Sequence, residues 1–119
     1  MTLKECYEKM EANYDEVIGR LRSERLVQKF ALKFLDDPSY QLLITSMEEK
    51  NYEEAFRAAH TIKGVCQNLG FTRLGDSSSA LTESLRSGWT PEADRLLEQT
   101  KADYQNTVTP LQSLKDSQQ

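Results

Sequence analysis

The sequence predicts an all-α protein. Apolar residues recur at helical spacing through most of the 119 residues. No segment shows the strict alternation of a half-buried strand. The three prolines and five glycines fall almost entirely at the ends of the periodic segments. The connections between those segments are short, so neighbouring helices are expected to run antiparallel. The expected architecture is an up-and-down four-helix bundle with an N-terminal helical extension. Residues 1–119 are read as a single domain, the extension covering about 1–22 and the bundle about 23–115.

Leu3, Cys6, Tyr7 and Met10 give a short amphipathic helix from Leu3 to about Asn13. Tyr14 to Leu21 reads as a separate turn with Val17, Ile18 and Leu21 apolar, weakened by Gly19 and Arg20. Ser23 is the expected N-cap of the next helix. That helix carries Leu26, Val27, Phe30, Ala31, Phe34 and Leu35 on one side. Asp36-Asp37-Pro38 interrupts it, because proline lacks an amide hydrogen and restricts the residue before it. Ser39 to Lys50 resumes the helix, with Leu42, Leu43, Ile44 and Met47.

Asn51 is the expected cap of a central helix, with Glu53 and Glu54 in its first turn complementing the helix dipole. Its apolar arc is Tyr52, Ala55, Phe56, Ala59, Ile62, Cys66 and Leu69, and Gly70 ends it as a glycine C-cap. Phe71 to Arg86 follows, with Phe71, Leu74, Ser78, Leu81 and Leu85 on one stripe and Ser87-Gly88 as the stop. Thr90-Pro91-Glu92 opens the last helix. Pro110 is expected to kink or break that helix, and Lys115 to Gln119 to fray.

Composition excludes several functional classes. Apolar residues make up 38% and charged residues 29%, a globular balance. The net charge of −4 argues against nucleic-acid binding. No apolar run reaches the length of a membrane span, and Met1-Thr2-Leu3-Lys4-Glu5-Cys6 has no apolar signal-peptide core. A cytoplasmic protein is the expectation. Cys6 and Cys66 are expected to stay reduced, Cys66 in the core and Cys6 partly exposed. One histidine and two distant cysteines make no zinc cluster, so neither metal nor cofactor is expected. There is no glycine-rich phosphate loop and no Ser-His-Asp constellation, so the chain is not read as an enzyme.

The chemistry concentrates on the lone histidine. On a helix, His60, Lys63, Gly64 and Gln67 share an arc of roughly 100°. Imidazole is neutral, and so nucleophilic, over much of the physiological pH range. A phosphoryl group on it would bring nearly two negative charges, which Lys63 one turn along could offset. Gly64 costs the helix about 1 kcal/mol relative to alanine, a cost accepted where something must approach closely. Close helix packing would explain that glycine equally well. Gln67 could hydrogen-bond a phosphoryl oxygen. Gly75, Ser77, Ser78, Ser79 and Ala80 would let the following helix pack closely without covering His60; a plain polar face is the other reading.

Residues 55–71, AFRAAHTIKGVCQNLGF, resemble the signature of the histidine-containing phosphotransfer (HPt) domain. The pattern H-x-x-K-G followed by L-G is matched by His60, Lys63, Gly64, Leu69 and Gly70. The resemblance implies a phosphorelay intermediate of a two-component system. His60 would accept a phosphoryl group from a receiver-domain aspartate and pass it to another receiver, Lys63 would support the phosphohistidine and Gly64 would leave it room. It also implies a monomer that borrows the receiver's own magnesium. Arg57, Thr61, Lys63, Gly64 and Gln67 are the expected docking surface on the exposed side. The chain is similar as well to the phosphoacceptor domain of chemotaxis kinases, without the second histidine often found on their next helix. Two alternatives stand beside the relay: an excised kinase domain of that type, and a non-catalytic helical adaptor or degenerate HPt bundle.

Overall fold

The computed structural model describes residues 1–118, and the fold they form is entirely helical. Seven α-helices follow one another: α1 (Leu3–Lys9), α2 (Tyr14–Leu21), α3 (Glu24–Lys33), α4 (Ser39–Glu48), α5 (Tyr52–Leu69), α6 (Thr72–Leu85) and α7 (Pro91–Ser117). A single 3-10 turn, Phe34–Asp36, closes α3. Helix α5 packs against α4 on one side and α6 on the other, and α6 in turn packs against α7. The central helix is thereby flanked along most of its length, with one stripe left free.

Local chemistry sets most of the boundaries. Ser23, Asn51 and Thr90 each accept a backbone hydrogen bond three residues on, from Leu26, Glu54 and Ala93. Each satisfies an amide that the first turn leaves orphaned. Thr2 and Glu5 form a reciprocal capping box on α1. Gly70 ends α5 in the left-handed region at φ 73°. A Cβ built there would come within 2.7 Å of the Asn13 carbonyl oxygen, so both backbone and space require glycine.

The structure differs from the sequence expectations in several places. The first helix stops at Lys9, because Glu11 takes a left-handed φ of 54° and Asn13 caps a new helix. Tyr14–Leu21 is therefore a full helix, anchored by Val17, which is completely buried. Helix α4 ends at Glu48, since Lys50 is left-handed as well. Leu26 and Phe30 are exposed; the buried side of α3 is Val27 and Ala31. Cys6 is fully buried, not partly exposed, because α1 lies against α7 and closes over it.

Helix α7 is not broken at Pro110. The carbonyl that loses its partner belongs to Asn106, which is exposed and can be hydrated. Leu111 and Leu114, both fully buried, hold the segment beyond in place. The expected fraying from Lys115 is also absent as far as Ser117, and Gln119 lies outside the described residues.

The N-terminal helices close the C-terminal end of α5. The Tyr7 hydroxyl donates to the Leu69 carbonyl at 2.7 Å, and the Asn13 amide donates to the Gly70 carbonyl at 2.8 Å. The Arg20 guanidinium donates to the carbonyls of Gln67 and Asn68. The carbonyls of Gln67, Asn68 and Leu69 have no partner within the helix, and three of these bonds supply one to each, while the Gly70 carbonyl also accepts from the Thr72 amide.

Candidate functional site

Helix α5 sorts its residues by period. Ala55, Ala58, Ala59, Ile62, Cys66 and Leu69 are buried, which turns His60, Thr61, Gly64 and Gln67 outward. His60 is exposed, and Lys63 is half-buried, its stem lying along the helix. Among the described residues Lys63 forms no ion pair, so its charge is uncommitted. Arg57 is exposed but engaged, its guanidinium 2.9 Å from Glu53 and 3.9 Å from Glu54. Thr61 is exposed, and its hydroxyl donates to the Arg57 carbonyl at 3.0 Å. Gln67 is exposed one turn beyond Gly64.

Gly64 separates two readings that the sequence left open. A Cβ built at Gly64 meets nothing within 4 Å. Helix packing therefore does not require glycine there, and the position opens onto solvent. Gly75 on α6 is the packing glycine, since a Cβ there would touch the Cys66 Cβ at 3.4 Å. Ser77 and Ser78 beside it are buried, and their hydroxyls turn back to the Leu74 carbonyl at 3.3 and 2.6 Å. The small residues of α6 thus serve close approach to α5, and only Ala80 faces water fully.

Three side chains beside His60 were not singled out by sequence. The Phe56 ring lies nearly parallel to the imidazole, with centroids 6.2 Å apart and planes at 14°. The Arg86 guanidinium lies over the Phe56 ring, 5.3 Å from its centroid. Glu83 grips Arg86 through two bonds, at 2.7 and 3.1 Å. The Arg86 pairing holds the Glu83 carboxyl below the usual range, with smaller contributions from Lys63 and His60. The signal was available in the hairpin itself. Once α5 and α6 fold back at Gly70, residues near 83–86 lie level with residues near 56–60.

No cavity is needed for such a site, and none of these groups forms a metal cage. Among the described residues no three metal-ligating side chains gather. The arrangement offers an exposed imidazole, an uncommitted ammonium one turn away, an open glycine position and a guanidinium held nearby.

A family model described as the Hpt domain matches residues 24–109. The chain belongs to the Hpt domain family. The matched stretch begins at the first residue of α3 and covers α3 to α6 with most of α7. Hpt domains act in phosphotransfer within two-component and phosphorelay signalling, as carriers of the group and not as kinases. They interact with receiver domains. Helices α1 and α2 lie outside the matched stretch, yet they are the elements that cap α5. Neither curated proteins nor solved structures gave a match to the chain. No helix of the described residues is long and apolar enough to cross a membrane.

Proposed function

We propose that this Hpt domain is a phosphorelay intermediate whose phosphoacceptor is His60. A ring nitrogen of neutral His60 attacks the phosphorus of a receiver's aspartyl phosphate. The N–P bond forms as the acyl O–P bond breaks, and the aspartate leaves as carboxylate. Transfer onward to a second receiver reverses the same exchange. Lys63 supplies the charge that the phosphoryl group lacks on an exposed helix face. Gln67 offers an amide further along the stripe. The bundle of about residues 23–115, with α1 and α2 as its N-terminal extension over one domain, serves to hold that stripe in place.

The observation that carries this reading is the open position at Gly64. A helix-interior glycine without a packing partner costs the helix stability, and beside an exposed histidine an approaching body accounts for that cost. The receiver would dock on α5 over Arg57, Thr61 and Gly64. Beside them lies a groove of about 220 Å³ lined by Phe30, Val65 and Asn68 among others. Phe30 is an exposed aromatic on α3 that the core does not use, and it would give the receiver an apolar contact.

The test is to incubate the chain with a phosphorylated receiver and follow an acid-labile, base-stable phosphoryl group. The parent should label and His60→Gln should not. Labelling of His60→Gln to the level of the parent overturns the reading and leaves a helical adaptor in its place.

A further inference from the structure

We propose that the Glu83–Arg86 pair is an exchangeable latch: Arg86 leaves Glu83 for the phosphoryl group when His60 is phosphorylated, and Glu83 sets how readily it does so. This rests on His60 as the phosphoacceptor and adds two positioning residues to it. Both groups meet the same ring: the Arg86 guanidinium carbon stands 5.3 Å from the Phe56 centroid, and the His60 ring lies 6.2 Å from that centroid with its plane within 14° of the Phe56 plane. Two proximities mark the register of the hairpin, Gly75 against Cys66 and Arg86 against Phe56. One turn inward from the second contact, His60 comes level with Thr82 and Glu83.

Among the described residues the Arg86 guanidinium has no hydrogen-bond or ion-pair partner besides Glu83. The pair is spaced i,i+3 at the end of α6, with side chains 56% and 59% exposed. Pairs of this kind are weak because water and salt screen both charges. A phosphoryl group on His60 carries nearly twice the charge of a carboxylate and three acceptor oxygens. A guanidinium can grip it through two parallel bonds, as it now grips Glu83. Phe56 serves as a platform on which the planar cation can slide toward His60 without losing its aromatic contact. Lys63 reaches the phosphoryl group from the opposite turn of α5, so the two cations would flank it.

The experiment uses the full chain and phosphoramidate, a small donor whose N–P bond breaks with ammonia as the leaving group. The half-life of phosphohistidine is followed by phosphorus NMR, and the Arg86 Nε–H resonance by nitrogen-edited NMR. Arg86→Ala should shorten the half-life about threefold or more, Arg86→Lys should recover part of it, and Glu83→Gln should lengthen it. In an Arg86→Ala background Glu83→Gln should have no effect. The Arg86 resonance should shift on phosphorylation of the parent. An unchanged half-life in Arg86→Ala, or a Glu83→Gln effect that persists without Arg86, overturns the latch while His60 remains the acceptor. Absence of any phosphohistidine in the parent overturns both.

Discussion

The Tyr7 hydroxyl donates a buried hydrogen bond of 2.7 Å to the Leu69 carbonyl, joining the first helix to the last turn of the histidine-bearing helix. The two residues are 62 positions apart in the chain. Tyr7 is fully buried, with its ring 5.7 Å from Phe71 and 5.9 Å from Tyr14. Removing the hydroxyl leaves a buried carbonyl unpaired. Tyr7→Phe should therefore lower stability by about 1–3 kcal/mol, read from urea midpoints at constant slope. A change within experimental error would mean that water replaces the hydroxyl at that end of α5.

Gly70 is the second point of that junction. Its φ of 73° strains any L side chain, and an added Cβ would stand 2.7 Å from the Asn13 carbonyl oxygen. Because the obstacle is backbone, α2 must move to relieve it. Gly70→Ala should cost about 2 kcal/mol or more, above the usual penalty for left-handed alanine. Thermal melting of the two proteins side by side would check it.

Gly64 should behave in the opposite sense. Nothing lies within 4 Å of a Cβ there. Replacing a helix-interior glycine with a good helix former should raise stability by up to about 1 kcal/mol. Gly64→Leu is therefore expected to melt no lower than the parent while its rate of phosphoryl transfer from a receiver falls about tenfold or more, a loss of roughly 1.4 kcal/mol in the encounter. Equal rates would remove the access role of this position.

Lys63 separates charge from fold. It makes no ion pair among the described residues, so Lys63→Ala should leave the melting temperature nearly unchanged. Phosphohistidine lifetime should shorten about two- to fivefold, the range expected for one exposed charge. Raising the ionic strength should shorten the parent's lifetime more than the variant's, because the variant has lost one of the screened charges.

Both thiols are predicted to give the fold an alkaline limit. Burial pushes the Cys6 thiol up to about 11 and raises the Cys66 thiol as well. Unfolding returns them to the ordinary value near 9.0. Above that pH the native state holds protons that the unfolded state has lost, so stability falls as pH rises. Below it, both states are protonated and these groups contribute no slope. Urea midpoints should be level near neutral pH, then decline from about pH 9 toward about pH 11. Cys6→Ala should flatten part of the decline. A thiol reagent at neutral pH should react only as the chain unfolds.

Most of the helix ends were legible in the sequence because their causes are local. Ser23, Asn51, Gly70 and Thr90 act within three or four residues, and each capped its helix as expected. The same holds for the outward stripe of His60, Gly64 and Gln67, which follows from the helical period and the apolar arc opposite. Where a boundary was missed, at Glu11 and Lys50, a non-glycine residue adopts a left-handed backbone that composition does not announce. Pro110 carried a local rule too strong for its place, since buried Leu111 and Leu114 outweigh one lost hydrogen bond.

Periodicity and capping are short-range effects, so an all-helical chain and a histidine with lysine and glycine on one stripe can be read from the residues alone. What surrounds that stripe depends on packing between helices. The tertiary structure showed Gly64 facing open space and Gly75 facing Cys66, buried Cys6, and turned Leu26 and Phe30 outward. It also brought Phe56 and Arg86 together beside His60. These facts depend on the register between packed helices. That register is set by contacts between residues far apart in the chain, which no local pattern encodes.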